Sequence, residues 1–261
     1  MIGSQAGSAT TSATHTVLIG QAAGGDANVT TAAIGSVAVG AHSLKNLTSG
    51  IGNTAVGYQA MDANATSDYN TAVGTSALGA LTKDGDTGNT AVGWQAGLSI
   101  TSGANNTIMG TVAGDGFDAE SDNTLIGYNA GGHSSYASAN SVAVGSGALS
   151  GAATQNGTIA IGHSALAALT SGAGNVAIGY LAMDANQQGA YNMAIGEHAL
   201  GAINDDGSGS NIAIGSYAMD GVGTLADCHS NLMIGVHTGG GSWATTASSH
   251  NIGIGGYALY G

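Results

Sequence analysis

A glycine that always follows Ile, Val or Met recurs along the chain. It stands at positions 3, 20, 40, 57, 74, 93, 110, 127, 145, 162, 179, 196, 215, 235 and 255, at intervals of 17 to 20 residues. Fifteen units of one short length constrain the fold more than any other feature. A repeat this short is one supersecondary unit that buries its apolar residues only by stacking on its neighbours.

With this glycine as position 0, Asn stands at −4 in ten of the fourteen units that contain that position: Asn53, Asn70, Asn89, Asn106, Asn123, Asn175, Asn192, Asn211, Asn231 and Asn251. Position +3 is Ala except at Ser43 and Thr238, and +4 is Leu or Met in nine units and Gly in six. Each unit offers about five extended residues before the glycine and a shorter extended stretch after it, then Gly, Ser, Asn, Asp and Thr, which form turns. No unit holds the ten to twelve residues of 3.6-residue periodicity that a helix requires.

The pattern predicts an all-β chain: a parallel β-solenoid, or β-roll, of about fifteen coils with 17–20 residues each, running through residues 1–261 as a single continuous array. At ~4.8 Å per coil it would be a rod roughly 70 Å long. Residues 40–93 match 162–215 at a constant offset of 122, so the array contains a duplicated block.

In such a coil the glycine marks a corner that needs positive φ or a close backbone approach. The Asn residues are expected to stack as a ladder, each amide bonding the coils above and below. The branched residue at −1 is expected to be buried on its counterpart one coil away. The −2 and +3 alanines are expected to form a second face too small to bury much. Among 261 residues there is no proline, as suits a chain of ladder and tight turn.

Composition excludes several functions. Two basic residues, Lys45 and Lys83, stand against fifteen acidic ones, for a net charge of −13. Such a chain cannot neutralise a phosphate backbone, and it has no attraction for anionic membranes. No apolar run is long enough for a transmembrane helix, so no membrane insertion is expected of this segment. One cysteine, Cys228, permits no intrachain disulfide. Nucleophile elbows, HExxH and phosphate-binding loops are absent, and the chain is read as not an enzyme.

The segments NTAVGYQAM (53–61), NVAIGYLAM (175–183) and SVAVGSGAL (141–149) resemble the YadA-type head repeats of trimeric autotransporter adhesins, and related repeats of phage tail fibres. The resemblance runs over essentially the whole chain. It implies a left-handed roll, three chains side by side, and an extracellular adhesive role on a cell surface or a virion. It also implies that the aliphatic residues at −3 and −1, Val142 and Val144 for example, face the roll's interior. The unit here is longer than the family's usual one, and five consecutive units carry Thr at −3: Thr54, Thr71, Thr90, Thr107 and Thr124. An ice-binding use of that file is set aside because the column is expected to face inward.

The function expected is a non-enzymatic structural and adhesive fibre that attaches to a host surface, glycan or protein, by many weak contacts. A self-polymerising filament, and a phage tail fibre without adhesive role in this segment, are the alternatives. The partners expected are copies of itself, as a homotrimer or stacked end to end. The chain starts inside a strand and stops inside a turn, which suggests an excerpt of a longer array or open ends that stack.

Candidate binding residues are the aromatics at +1 and +2, Tyr58, Trp94, Tyr128 and Tyr180, with Tyr217 and Tyr257. They would either stack on sugars or fill the groove between neighbouring chains. No cofactor is expected. The acidic turn of Asp115, Asp118, Glu120 and Asp122 would supply oxygen ligands to Ca²⁺, as would Asp84/Asp86 and Asp205/Asp206, but such turns also serve simply to keep an uncharged rod soluble.

Overall fold

The computed structural model describes residues 1–8, 15–25, 33–133, 138–202, 209–221, 228–241 and 249–261. Asp205 and Asp206 lie outside the described residues. Among these residues there is no helix, and the chain is an all-β parallel solenoid. It divides into two compact units, Met1–Asn129 and Ala130–Gly261. One copy of the duplicated block falls in each.

The first unit holds β1 (Val17–Ile19), β2 (Val37–Val39), β3 (Thr54–Val56), β4 (Ser67–Asp68), β5 (Thr71–Val73), β6 (Gly85–Asp86), β7 (Thr90–Val92), β8 (Thr107–Met109) and β9 (Thr124–Ile126). Strands β1, β2, β3, β5, β7, β8 and β9 pair in that order, all parallel and in one register, so Val56 stands opposite Val73 and Thr71 opposite Thr90. Ile2 adds a bridge to Ile19. Strands β4 and β6 pair separately.

The second unit repeats the arrangement with β10 (Val142–Val144), β11 (Ile159–Ile161), β12 (Val176–Ile178), β13 (Met193–Ile195), β14 (Ile212–Ile214), β15 (Leu232–Ile234) and β16 (Ile252–Ile254), again parallel and in register. Each three-residue strand is the −3 to −1 segment of one unit, so the rungs follow the glycine spacing.

The repeat glycine meets both demands placed on it. All fifteen have φ between +113° and +143°, a conformation closed to L side chains. A Cβ on Gly57 would lie 2.5 Å from the carbonyl oxygen of Gly74, and one on Gly196 at 2.5 Å from that of Gly215. The coils therefore touch backbone to backbone at this corner.

The Asn ladder forms inside both units. Asn106 donates to the Oδ1 of Asn89 through its backbone N–H and its amide, both at 3.0 Å, and Asn123 does the same to Asn106 at 3.0 and 3.1 Å. Asn211, Asn231 and Asn251 repeat this pair of bonds at 3.0 to 3.1 Å, each to the Asn before it. Nine of the ten ladder residues are buried and Asn251 is half-buried. A buried amide is tolerated because the next rung satisfies it.

The interior differs from expectation on one point. The residue at −2, not those at −3 and −1, faces inward: Ala55, Ala72, Ala143, Ala177 and Ala194 are fully buried, while their strand neighbours are half exposed. The reason is volume. A coil this thin cannot admit branched side chains from its strand as well as the bulky residues of the opposite wall. Those are the +4 residues (Leu44, Met61, Leu78, Leu166, Leu200) and the +7 residues (Leu47, Leu81, Ile100, Phe117, Leu169), all buried.

Positions −2 and +4 share one space. Where +4 is Leu or Met, −2 is Ala or, once, Gly; where +4 is Gly, −2 is Met1, Leu18, Ile108, Leu125 or Met233, the one exception being Ala91 with Gly97. A Cβ on Gly24 would strike Leu18, one on Gly239 would strike Met233, and the room beside Gly97 is taken by Ile100, Ile108 and Leu78.

Candidate functional site

With the interior closed by Ala, Leu, Met and Asn, chemistry is left to the outward columns. Two sets stand out. The first is the strand face. In the second unit the outward positions of β10 to β16 are Val142, Val144, Ile159, Ile161, Val176, Ile178, Met193, Ile195, Ile212, Ile214, Leu232, Ile234, Ile252 and Ile254; nine are half-buried and Ile161, Ile212, Ile234, Ile252 and Ile254 are exposed. In the first unit the outward −3 column contains Thr54, Thr71, Thr90, Thr107 and Thr124, in register from rung to rung. The expectation that this file faces inward is thus corrected, and the ground for setting it aside goes with it.

The second set is a row of rings just after the glycine corner of the second unit. His163 and Tyr180 stack at 5.4 Å between centroids and 22° between planes. Tyr180 then meets His198 edge-on at 5.9 Å. From there the stack is continuous: His198 on Tyr217 at 5.1 Å and 16°, Tyr217 on His237 at 5.0 Å and 11°, His237 on Tyr257 at 5.1 Å and 20°. Tyr260 closes the end, edge-on to His237 and Tyr257. One ring per coil at the rung spacing follows from the fold, because +1 and +2 stack like every other position. The residues at +2 hold φ near +55° (His198 52°, Tyr217 57°, His237 54°, Tyr257 59°), which aligns their side chains.

Carboxylates border the row. Tyr217 Oη donates to Glu197 Oε1 at 3.4 Å, and the neighbouring Glu197 charge raises the Tyr217 phenol above its ordinary range. Asp220 is held above the usual carboxylate range first by burial, with the Asp184 charge adding to the rise and the His198 and His237 rings opposing it. A Cβ on Gly201 would lie 2.8 Å from Asp220 Oδ1 and 3.4 Å from Asp184 Oδ1, so the glycine lets both carboxylates close in beside it.

Of the aromatics singled out in sequence, Tyr58, Trp94, Tyr128 and Tyr180 are all about half exposed or more. Tyr180 belongs to the ring row, and Tyr58 meets His42 edge-on at 6.0 Å. Trp94 and Tyr128 stand apart from these stacks. In the ring row the faces are largely covered by neighbouring rings, so stacking a sugar flat on them is not the chemistry on offer there. The three histidines of the row, His163, His198 and His237, are not among the residues singled out in sequence. Their signal was a fixed place, +1 or +2, on consecutive coils.

The acidic turn does not converge. Asp118 accepts from the Thr101 hydroxyl, Glu120 Oε2 accepts from the Asp118 backbone N–H at 2.7 Å, and Asp122 accepts from Asn105 at 3.1 Å. Asp115 lies on the coil wall, where burial raises its carboxyl above the usual range. Asp84 accepts from Thr66, and Asp86 sits in β6. Among the described residues no three His, Cys, Asp or Glu side chains are grouped to hold a metal ion. Cys228 is buried, its thiol pushed up by burial, and its carbonyl accepts from Asn211 at 2.8 Å. Among the described residues no helix is long and apolar enough to cross a membrane.

No family model, no curated protein and no solved structure matches the chain.

Proposed function

We propose that the chain is a non-enzymatic structural and adhesive fibre, working outside the cell on a cell surface or virion, whose copies pair through the outward strand face. The carrying observation is the second unit's face of fourteen Val, Ile, Leu and Met side chains on seven rungs. At the rung spacing it runs roughly 30 Å, two side chains wide. An uninterrupted apolar strip of this kind is a mark of an interaction surface. The occupant we assign is the same strip on other copies, because a periodic column is complementary to itself at the same repeat. Rotational symmetry of three chains, which the repeat resemblance implies, would close the three strips on one another and leave no free apolar edge. Adhesion would then come from the remaining columns, repeated along each chain and around the assembly.

Analytical ultracentrifugation of the purified chain tests this. A trimer is expected, and Ile178→Lys with Ile195→Lys is expected to release monomers that keep their β circular dichroism. A wild-type monomer at micromolar concentration would overturn the reading, and continuous polymers would favour the filament alternative.

The Thr file of the first unit supports a second reading of that face. Its five hydroxyls stand in register at the strand spacing, on a strand face without charge, which is a surface able to order water in an ice-like array. Inhibition of ice recrystallisation, abolished by Thr90→Tyr, is its expected signature; growth of ice unaffected by the wild-type chain removes it.

A further inference from the structure

The ring row of the second unit has no task in self-pairing: it lies past the glycine corner, on positions +1 and +2 rather than on the strand face. We infer that it is a binding site for an extended β-1,4-linked polysaccharide of neutral or amino sugars, laid along the rungs with one sugar per coil. This rests on the fibre reading and names what the fibre would hold.

Three observations converge on that class. The first is pitch. His198, Tyr217, His237 and Tyr257 follow one another at 5.0 to 5.1 Å. A polymer that places one polar group at every ring must advance by about one strand spacing, ~4.8 Å, per repeat. An extended β-1,4-linked pyranose chain does so. A peptide strand advances ~3.3 Å per residue and drifts out of register, and an α-1,4-linked chain coils away from the row.

The second is the part of the ring presented. The rings lie face to face within 11° to 20°, so their rims look outward. Each rim carries a phenol O–H or an imidazole nitrogen. The row is therefore a line of hydrogen-bonding groups with one member per coil, suited to sugar hydroxyls. Stacking also removes the rotamer freedom that such side chains would otherwise lose on binding.

The third is charge. Glu197 bonds the rim of Tyr217, and Asp184 and Asp220 flank Gly201 beside the row. With a chain charge of −13, these carboxylates repel nucleic acids and sulfated or uronic-acid glycans. They accept from neutral hydroxyls and attract the ammonium groups of amino sugars.

Titration calorimetry of the full chain with cello-oligosaccharides and chitosan oligosaccharides of two to six sugars tests the site. The association constant is expected to rise severalfold with each added sugar through the four continuous rings and to level off by six, with maltohexaose not binding. Tyr217→Phe combined with His237→Phe keeps the stack and removes two rim groups. It is expected to lower hexamer affinity at least tenfold with an unchanged melting temperature. Glu197→Gln, which keeps an accepting oxygen and removes the charge, is expected to weaken chitosan binding by a larger factor than cellohexaose binding.

No binding of either hexamer, equal binding of maltohexaose, or an unchanged hexamer affinity in the double variant would each overturn the assignment. The fibre reading fails separately, on the oligomeric state. A monomer whose hexamer binding responds to the ring variants sinks self-pairing and keeps the glycan site, and a trimer indifferent to every oligosaccharide does the reverse.

Discussion

The two units share an interior and differ outside. Leu44, Leu47, Met61, Asn64 and Leu78 of the first are matched by Leu166, Leu169, Met183, Asn186 and Leu200 of the second, all buried. Asn64 and Asn186 even make the same turn bond, each accepting at 2.9 Å from a backbone N–H three residues on. The outward strand columns do not follow. The first unit places Thr beside its aliphatic column on five rungs, and the second places Val, Ile, Met or Leu there on all seven. The continuous ring row is likewise a feature of the second unit, whereas among the described residues of the first the rings of His42 and Tyr58 meet as one edge-on pair. In a stacked coil the interior is dictated by volume and hydrogen bonding, so it tolerates little change. The outward columns are dictated by neither, and differences in what the units bind must reside there.

If the interior is common property, breaking it should hurt both units alike. Gly57→Ala and Gly196→Ala each set a methyl group 2.5 Å from the next coil's carbonyl oxygen at a φ of +138°. Each is expected to cost about 3 kcal/mol or more, read from denaturant unfolding. A large difference between the two losses would mean that the corners are not equivalent.

The shared use of space at −2 and +4 gives a finer test with one pair in each unit. Leu18→Ala and Met233→Ala are each expected to lose about 2–5 kcal/mol through the cavity left behind. Adding Gly24→Leu to the first and Gly239→Leu to the second should return most of the loss, because Leu already occupies +4 at positive φ elsewhere, as at Leu44 and Leu200. Doubles no better than the singles would show that each coil is packed individually.

The rungs themselves were legible in sequence because the glycine, the Asn at −4 and the Ala at +3 recur on a nearly constant count. What was misread is which side of the strand is inside. Alternation along −3, −2 and −1 shows that two faces exist but does not say which is buried. The usual assumption that Val and Ile go in and Ala is neutral fails where the coil is too thin for branched residues. The exchange between −2 and +4, with Leu18 against Gly24 and Ala38 against Leu44, carried the missing information, since only residues competing for one volume vary in that way. The ring row was half legible: Tyr180, Tyr217 and Tyr257 are candidate binding residues at +1 and +2, but the intervening histidines are not among the candidates. Seeing the row requires aligning +1 and +2 across coils of unequal length, and the coils here range from 17 to 20 residues.

On the strand face the contrast between the units should be measurable as association. Thr71→Lys with Thr90→Lys in the first unit is expected to weaken self-association less than Ile178→Lys with Ile195→Lys in the second, by about tenfold or more in dissociation constant. Charges set into an all-aliphatic strip lose more contact than charges set beside hydroxyls that are already wet. Sedimentation over a concentration series reads both. Equal loss would place the contact evenly over the two faces.

The smallest effect expected concerns Asp62 and Asp220, at +5 in the two units. Burial raises both carboxyls above their ordinary value. The folded state therefore holds the proton more tightly than the unfolded chain. Stability from this source is fully present below the unfolded pKa and is lost as pH rises through the raised folded value. Asp220→Asn should then melt higher than wild type at pH 7, with the gap closing as pH falls towards 4. In the first unit the Lys45 and His42 charges oppose the burial of Asp62, whereas beside Asp220 the His198 and His237 rings are opposed in turn by Asp184. Asp62→Asn should accordingly gain less than Asp220→Asn. Melting curves of both variants between pH 4 and 8 check the sign and the order. A gap that widens on acidification would mean that the folded chain favours the ionised carboxylates, and that the aspartates at +5 hold their coils by charge.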